Sequence, residues 1–130
     1  MKEMNITSNI SNGIIHFSNQ SIDISEIEWK NHPDYKGVSL KHMITGEKTG
    51  GHFSSHLIKL DPNSCIETHC HENQTELHEV IEGNGSFHLL KEVVDYHLGK
   101  MAVIPKGKNH MVRAGENGLT LLAKFFPALL

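Results

Sequence analysis

Only two cysteines, Cys65 and Cys70, occur in the 130 residues. They stand five apart on what reads as a single strand, where pairing geometry is poor, so a disulfide framework is excluded and two free thiols are expected. An excess of one charge sign is also lacking, since 12 basic residues against 15 acidic ones leave a net charge of −3. The basic residues are scattered, which gives neither an electrostatic footprint for nucleic acid nor a basic face for an anionic membrane. Small-molecule chemistry is the default. No window approaches the roughly 20 apolar residues of a membrane span, and "MKEMNITSNISNG" carries a lysine but not the apolar run of a secretion signal. A cytoplasmic protein is expected. Linkers, tandem repeats and low-complexity tracts are missing as well, and the length suits one domain that closes its core without staples. Any metal would then serve function.

Turn chemistry punctuates the second half of the chain. In "DPNS", Asp61 to Ser64, proline precedes an asparagine that tolerates the positive φ of a type II turn. "EGNG" at Glu82 to Gly85, "LGK" at Leu98 to Lys100, "PKG" at Pro105 to Gly107 and "ENG" at Glu116 to Gly118 are further turn signals, two of them of the Asn-Gly hairpin type. Between them lie short runs of β-formers: His52 to Leu60, Cys65 to Cys70, Glu76 to Glu82, Ser86 to Leu90, Val93 to Leu98, Met101 to Ile104, His110 to Arg113 and Leu119 to Phe126. Without a helical period, this pattern argues for an all-β sandwich or barrel. Upstream, Gly13 to Phe17, Ile22 to Trp29 and Val38 to Ile44 read as strands and Asn31 to Gly37 as a loop. Residues 1–50 are expected to form a strand-bearing arm packed on a barrel of residues 51–130, or on a partner subunit.

Chemistry concentrates in "THCHENQTELHE", Thr68 to Glu79. With 11 histidines in the chain, a lone His-x-His arises by chance about 0.9 times, so the surrounding pattern must decide. Side chains alternate along a strand: His69 and His71 share one face, and Cys70 takes the other. In the next strand Val80 shares a face with Glu76 and His78, whereas Leu77, Glu79 and Ile81 lie opposite. If Val80 packs inward, Glu76 and His78 do too. A further ligand should come from a distant strand, and His110, following "GKMAVIPKGKN", is the candidate.

From Asn63 to Ala114 the chain resembles the paired motifs of the cupin superfamily, G-x5-H-x-H-x3-4-E-x6-G and G-x5-P-x-G-x2-H-x3-N. His69, His71, Glu76 and Gly83 fit the first, with Asn63 in the leading glycine position. Gly99, Pro105, Gly107 and His110 fit the second, with Ala114 in place of asparagine. The resemblance implies a double-stranded β-helix, a jelly-roll-like small barrel. It implies His69, His71, Glu76 and His110 as ligands of one divalent transition metal ion, with Fe, Mn, Ni, Co or Zn compatible with an open N/O set. It also implies a homodimer, for which the sequence offers the apolar tail "FFPALL" or the strand Val38 to Ile44 as elements of exchange.

His78 is expected to line the cavity one step from the metal, as a general acid/base or as a hydrogen-bonded core histidine. His56 shares parity with Ile58 and Leu60, yet Phe53 and Leu57 leave the faces of that strand ambiguous. His52 and His56 are about 13 Å apart along a strand, too far to share an ion. His88 is expected to meet solvent. His16, His32, His42 and His97 are expected on the surface or in loops, and Glu72 and Glu79 as solvated carboxylates. Lys124, among apolar neighbours on both faces, either snorkels or enters the pocket. The function expected is that of a metal-dependent enzyme acting on a small oxygenated molecule, of dioxygenase, isomerase, decarboxylase or lyase type. A non-catalytic binding or sensing protein is the alternative.

Overall fold

The computed structural model describes residues 5–130, and Lys2 of the N-terminal segment lies outside them. Ten strands and two short helices follow in order: α1 Ile6–Ser11, β1 Ile14–Phe17, β2 Gln20–Asp23, β3 Lys30–Asn31, β4 Val38–Ile44, α2 Gly46–Thr49, β5 Ser54–Leu60, β6 Cys65–His69, β7 Thr75–Leu89, β8 Glu92–His97, β9 Met101–Ile104 and β10 His110–Phe126. The protein is all-β apart from these helices. Their six and four residues are too few to show a helical period; α1 is fixed by its cap, where Asn5 Oδ1 accepts the Ser8 N–H (2.8 Å). Ile22 to Trp29 is not a strand. Pairing stops at Asp23, and Ile24–Glu26 forms a 3-10 turn.

Strand β10 is the spine. It pairs antiparallel with β5, with β6 and with β7, while β4 continues the sheet beyond β5, and β8 and β9 pair with β7. β3 and β4 belong to this sheet, so residues 30–44 pair with strands that follow residue 51. Inside it, Leu60, Phe87, Tyr96, Ile104, Val112 and Leu121 are almost fully buried. Ile24, with Ile10, Ile15 and Trp29 of the arm, packs instead on Met43, Leu57, Ile81 and Leu122, on the barrel's outer face. Lys41 is held there too, with Nζ donating to the Ile24 carbonyl (3.0 Å) and lying 5.2 Å from the centre of the Trp29 ring.

Two Asn-Gly signals do not make hairpins. Strand β7 runs straight through Glu82 to Gly85, and β10 runs through Glu116 to Gly118, with the register between them shifting from Ala114–Gly85 to Leu119–Gly83. These glycines sit in bulges. A second shift, between Thr120–Glu82 and Leu121–Val80, leaves Ile81 unpaired. Alternation therefore reverses: Glu76, His78 and Val80 face inward before it, Phe87 after it. By contrast "DPNS" does turn, with Asn63 at φ 64° and the Ser64 N–H on the Asp61 carbonyl at 3.0 Å.

The tail "FFPALL" folds back on its own chain, where the Ala128 N–H donates to the Gly51 carbonyl and the Leu129 N–H to Ser54 Oγ (both 3.0 Å). Among the described residues no helix is long and apolar enough to cross a membrane.

Candidate metal centre and cavity

His69 closes β6, and β-pairing sets it directly opposite His110, the first residue of β10. Ring centres lie 4.3 Å apart for His69 and His110, 5.0 Å for His69 and His71, and 5.8 Å for His71 and His110. Candidate ligand atoms of the three imidazoles all lie within 4.8 Å of one another. Two rings are aimed from behind. His69 Nδ1 bonds the Glu67 carbonyl (2.8 Å) and His110 Nδ1 the Lys108 carbonyl (2.9 Å), which places each proton on Nδ1 and leaves the Nε2 lone pair free.

Glu76 reaches the triad from β7. Its Oε1 is 3.3 Å from His110 Nε2 and 3.7 Å from His71 Nε2, yet Oε1 and His110 Nε2 are both buried without a hydrogen bond among the described residues. Orphaned buried polar atoms are costly, and a cation among them removes the cost. The residues present thus fit a metal ion, with the carboxylate beside the three-histidine group rather than among its mutually close atoms. Burial alone pushes Glu76 up, but the His78, His110 and His71 imidazoles outweigh it and hold the carboxyl far below its usual range. Burial lowers His69 and His71, favouring the neutral form a ligand needs, whereas at His110 burial is overcome by the Glu76 carboxylate and the Lys108 carbonyl, which raise it.

His78 stands behind Glu76. Its Nε2 is 2.8 Å from Glu76 Oε2 and its Nδ1 is 2.9 Å from the Tyr96 hydroxyl. Since the carboxylate can only accept, His78 donates from Nε2 and accepts the Tyr96 proton at Nδ1. Burial, then the Glu76 charge, pushes the Tyr96 hydroxyl well above the tyrosine range, which keeps it a donor. Both nitrogens of His78 are therefore committed to protein. Tyr96 stacks on Phe87 with centres 5.1 Å apart and planes within 2°, and no sequence signal marked it beyond its strand parity with Val94.

A cavity of about 250 Å³ opens beside this cluster, the liquid volume of roughly eight waters. Leu40, Ile58, Ile66, Val112, Phe125 and Leu129 give it an apolar wall. His56 is 2 % exposed and lines it, so the inward alternative for that strand holds. His42 lines it as well, contrary to the surface position expected: it shares parity with Val38 and Leu40, and its Nδ1 lies 2.8 Å from His56 Nδ1. Burial and then the neighbouring His42 lower His56 to about 4, and burial followed by Lys30 lowers His42. His32, also expected to be remote, reaches the cavity with Asp34 and Tyr35 from the loop after β3.

The other candidates lie elsewhere. Lys124 points outward and pairs with Glu79, which makes that carboxylate half of an ion pair. Exposed Glu72 accepts the Cys70 thiol proton (3.2 Å), and half-buried His88 bonds Ser86 (3.1 Å). His16 and His97 are exposed.

Residues 56–123 match the family model of the cupin domain, more than half of the chain. The chain is a cupin. Its barrel is the jelly-roll-like double-stranded β-helix that the paired motifs implied. Solved structures agree: a predicted oxalate decarboxylase from Thermotoga maritima is 27 % identical, with TM-score 0.72 over 79 % of this chain and 95 % of its own. An RmlC-like cupin from Shewanella frigidimarina (17 %, TM-score 0.71, 88 % and 93 %) and KdgF from Halomonas sp. (21 %, 0.69, 79 % and 90 %) share the fold. No curated protein matches this cupin.

Proposed function

We propose that this cupin is an enzyme that holds one divalent transition metal ion, Fe, Mn, Ni, Co or Zn, on His69, His71, Glu76 and His110, and acts on a small oxygenated molecule. The observation that carries the reading is the pair of buried, unpartnered atoms Glu76 Oε1 and His110 Nε2, turned toward two further imidazoles. When bound, the ion would polarise a carbonyl or carboxylate, or hold dioxygen. Glu76 is kept ionised by its neighbours and is oriented through Oε2, so Oε1 stays available. His78 acts on protons indirectly: its Nε2–H donates to Oε2, which steadies the charged form of the carboxylate and makes it release readily any proton it takes up. The cavity, at about 250 Å³, suits a small-molecule substrate.

The test is metal analysis of protein purified without a histidine tag, followed by turnover and oxygen uptake across carbonyl, carboxylate and sugar substrates. A stoichiometric ion and turnover, with His78→Gln keeping the ion and losing most of the rate, is the expected result; loss of the ion in that variant overturns the indirect role. One observation favours a second reading, a non-catalytic binding or sensing protein: both nitrogens of His78 are engaged within the chain. Tight ligand binding without turnover would establish it.

A cytoplasmic homodimer belongs to the same proposal. The unpaired Cys65 and Cys70 suit a reducing compartment. With the tail engaged in its own chain, exposed Met101 and Val103 on β9 are among the apolar residues that a second copy could cover. Sedimentation at micromolar concentration should give twice the monomer mass.

A further inference from the structure

His42 and His56 are cross-strand partners at the side of the cavity that the metal cluster does not occupy. The Phe125 ring stands between the two groups, 5.5 Å from the His56 ring and 4.9 Å from that of His71. Proton positions in the pair follow from a serine. Ser54 is fully buried, and its Oγ already accepts the Leu129 N–H (3.0 Å), so its own proton needs an acceptor. Among the described residues the acceptor in reach is His56 Nε2, 2.8 Å away. Ser54 therefore donates to Nε2, neutral His56 carries its proton on Nδ1, and that proton is donated across 2.8 Å to His42 Nδ1. His42 is left with its proton on Nε2, an atom that makes no hydrogen bond with the described residues. Each link polarises the next, which sharpens the terminal donor.

We propose that His42 is the specificity-determining residue of this cavity, its Nε2–H donating to a carbonyl or carboxylate oxygen at the end of the ligand remote from Glu76. The ligand class is a small molecule with oxygen functions at both ends and hydrocarbon between, the middle lying against Ile58, Ile66, Val112 and Phe125. The near end of this proposal rests on the metal-centre reading; the far end rests on the Ser54–His56–His42 chain alone.

Three five-carbon probes separate the two ends in calorimetric titration of the metal-loaded protein: glutarate, its monoamide, which keeps a distal acceptor without the second charge, and valerate, which has a methyl group there. Glutarate and the monoamide should both bind about tenfold more tightly than valerate, the worth of one buried hydrogen bond. His42→Phe should remove that preference while leaving valerate affinity and metal content unchanged, and His42→Gln, which retains an N–H donor and an acceptor for His56, should restore most of it. Equal affinities in the wild type, or equal weakening of all three probes in His42→Phe, overturns the proposal. Nitrogen-15 spectra of the histidines decide the donor without any ligand: a proton on His42 Nε2 supports it, and one on Nδ1 overturns it. Failure of the wild type to load metal would overturn the metal-centre reading and leave the spectra to decide His42.

Discussion

Exchange of His110 for alanine should lower metal affinity on the order of 100-fold or more while the barrel stays folded. Changing a residue that only supports a ligand costs about 10- to 100-fold in metal sites, and in the proposed site His110 binds directly, with Nδ1 fixed on a carbonyl and Nε2 without a hydrogen bond among the described residues. The loss should appear in stability too. At free metal 100-fold above Kd, a site present only in the folded state adds about 2.7 kcal/mol. The wild type should gain that amount on addition of the ion, and His110→Ala should gain almost nothing under the same conditions. Glu72→Ala is the matched control, because Glu72 lies within the same histidine-rich stretch but is exposed and bonds only Cys70. Full retention of metal by His110→Ala, measured by equilibrium dialysis and by thermal melts, would place the ion elsewhere.

Why His110 was legible and His42 was not has a physical answer in the two faces of the sheet. On β7, alternation groups Glu76 and His78 with Val80, and although Leu77 and Ile81 make the opposite face apolar too, the motif spacing marks Glu76 and so selects the inward side. The motif spacing then joins His69 and His71 to the distant His110. On β4 and β5 the contrast vanishes, because the arm covers the outer face with Ile24, Ile15 and Trp29, and Met43 and Leu57 are apolar in order to meet it. Both faces of those strands are buried, so alternation no longer says which way His42 and His56 point. Lys124 was ambiguous for a related reason: outward Leu122, beside it on β10, also packs under the arm. Tyr96 escaped because its importance lies in a single contact with His78, across paired strands, and no local pattern encodes that. The Asn-Gly pairs were misread for another cause. Positive φ is what the sequence signals, and bulges use it as readily as hairpin turns do.

Gly83→Ala should destabilise the protein by about 3 to 4 kcal/mol, lowering Tm by roughly 10 °C or more for a chain of this size. Gly83 has φ 81°, a region that costs a side-chain-bearing residue on the order of 1–2 kcal/mol. A β-carbon there would also collide with the Gly118 carbonyl oxygen and meet the Leu119 Cα at 3.0 Å. These are backbone atoms of β10, and they can retreat only if β7 and β10 part at the bulge. Slippage is no escape, because the bulged segment reverses the inward parity of β7: removing it would turn either Glu76 and His78 or Phe87 to the outside. Gly99→Ala separates the two contributions. Gly99 has φ 93° and no heavy atom within 4 Å of the added carbon, so that variant should show only the conformational cost, about 1–2 kcal/mol. Denaturant titration of both variants measures the difference, and equal losses would mean that the two strands do not approach closely at Gly83. A larger loss at Gly83 would locate in one backbone contact the close approach that pins β10 beside the Ile81 bulge, and with it the register in which Glu76 and His78 face inward.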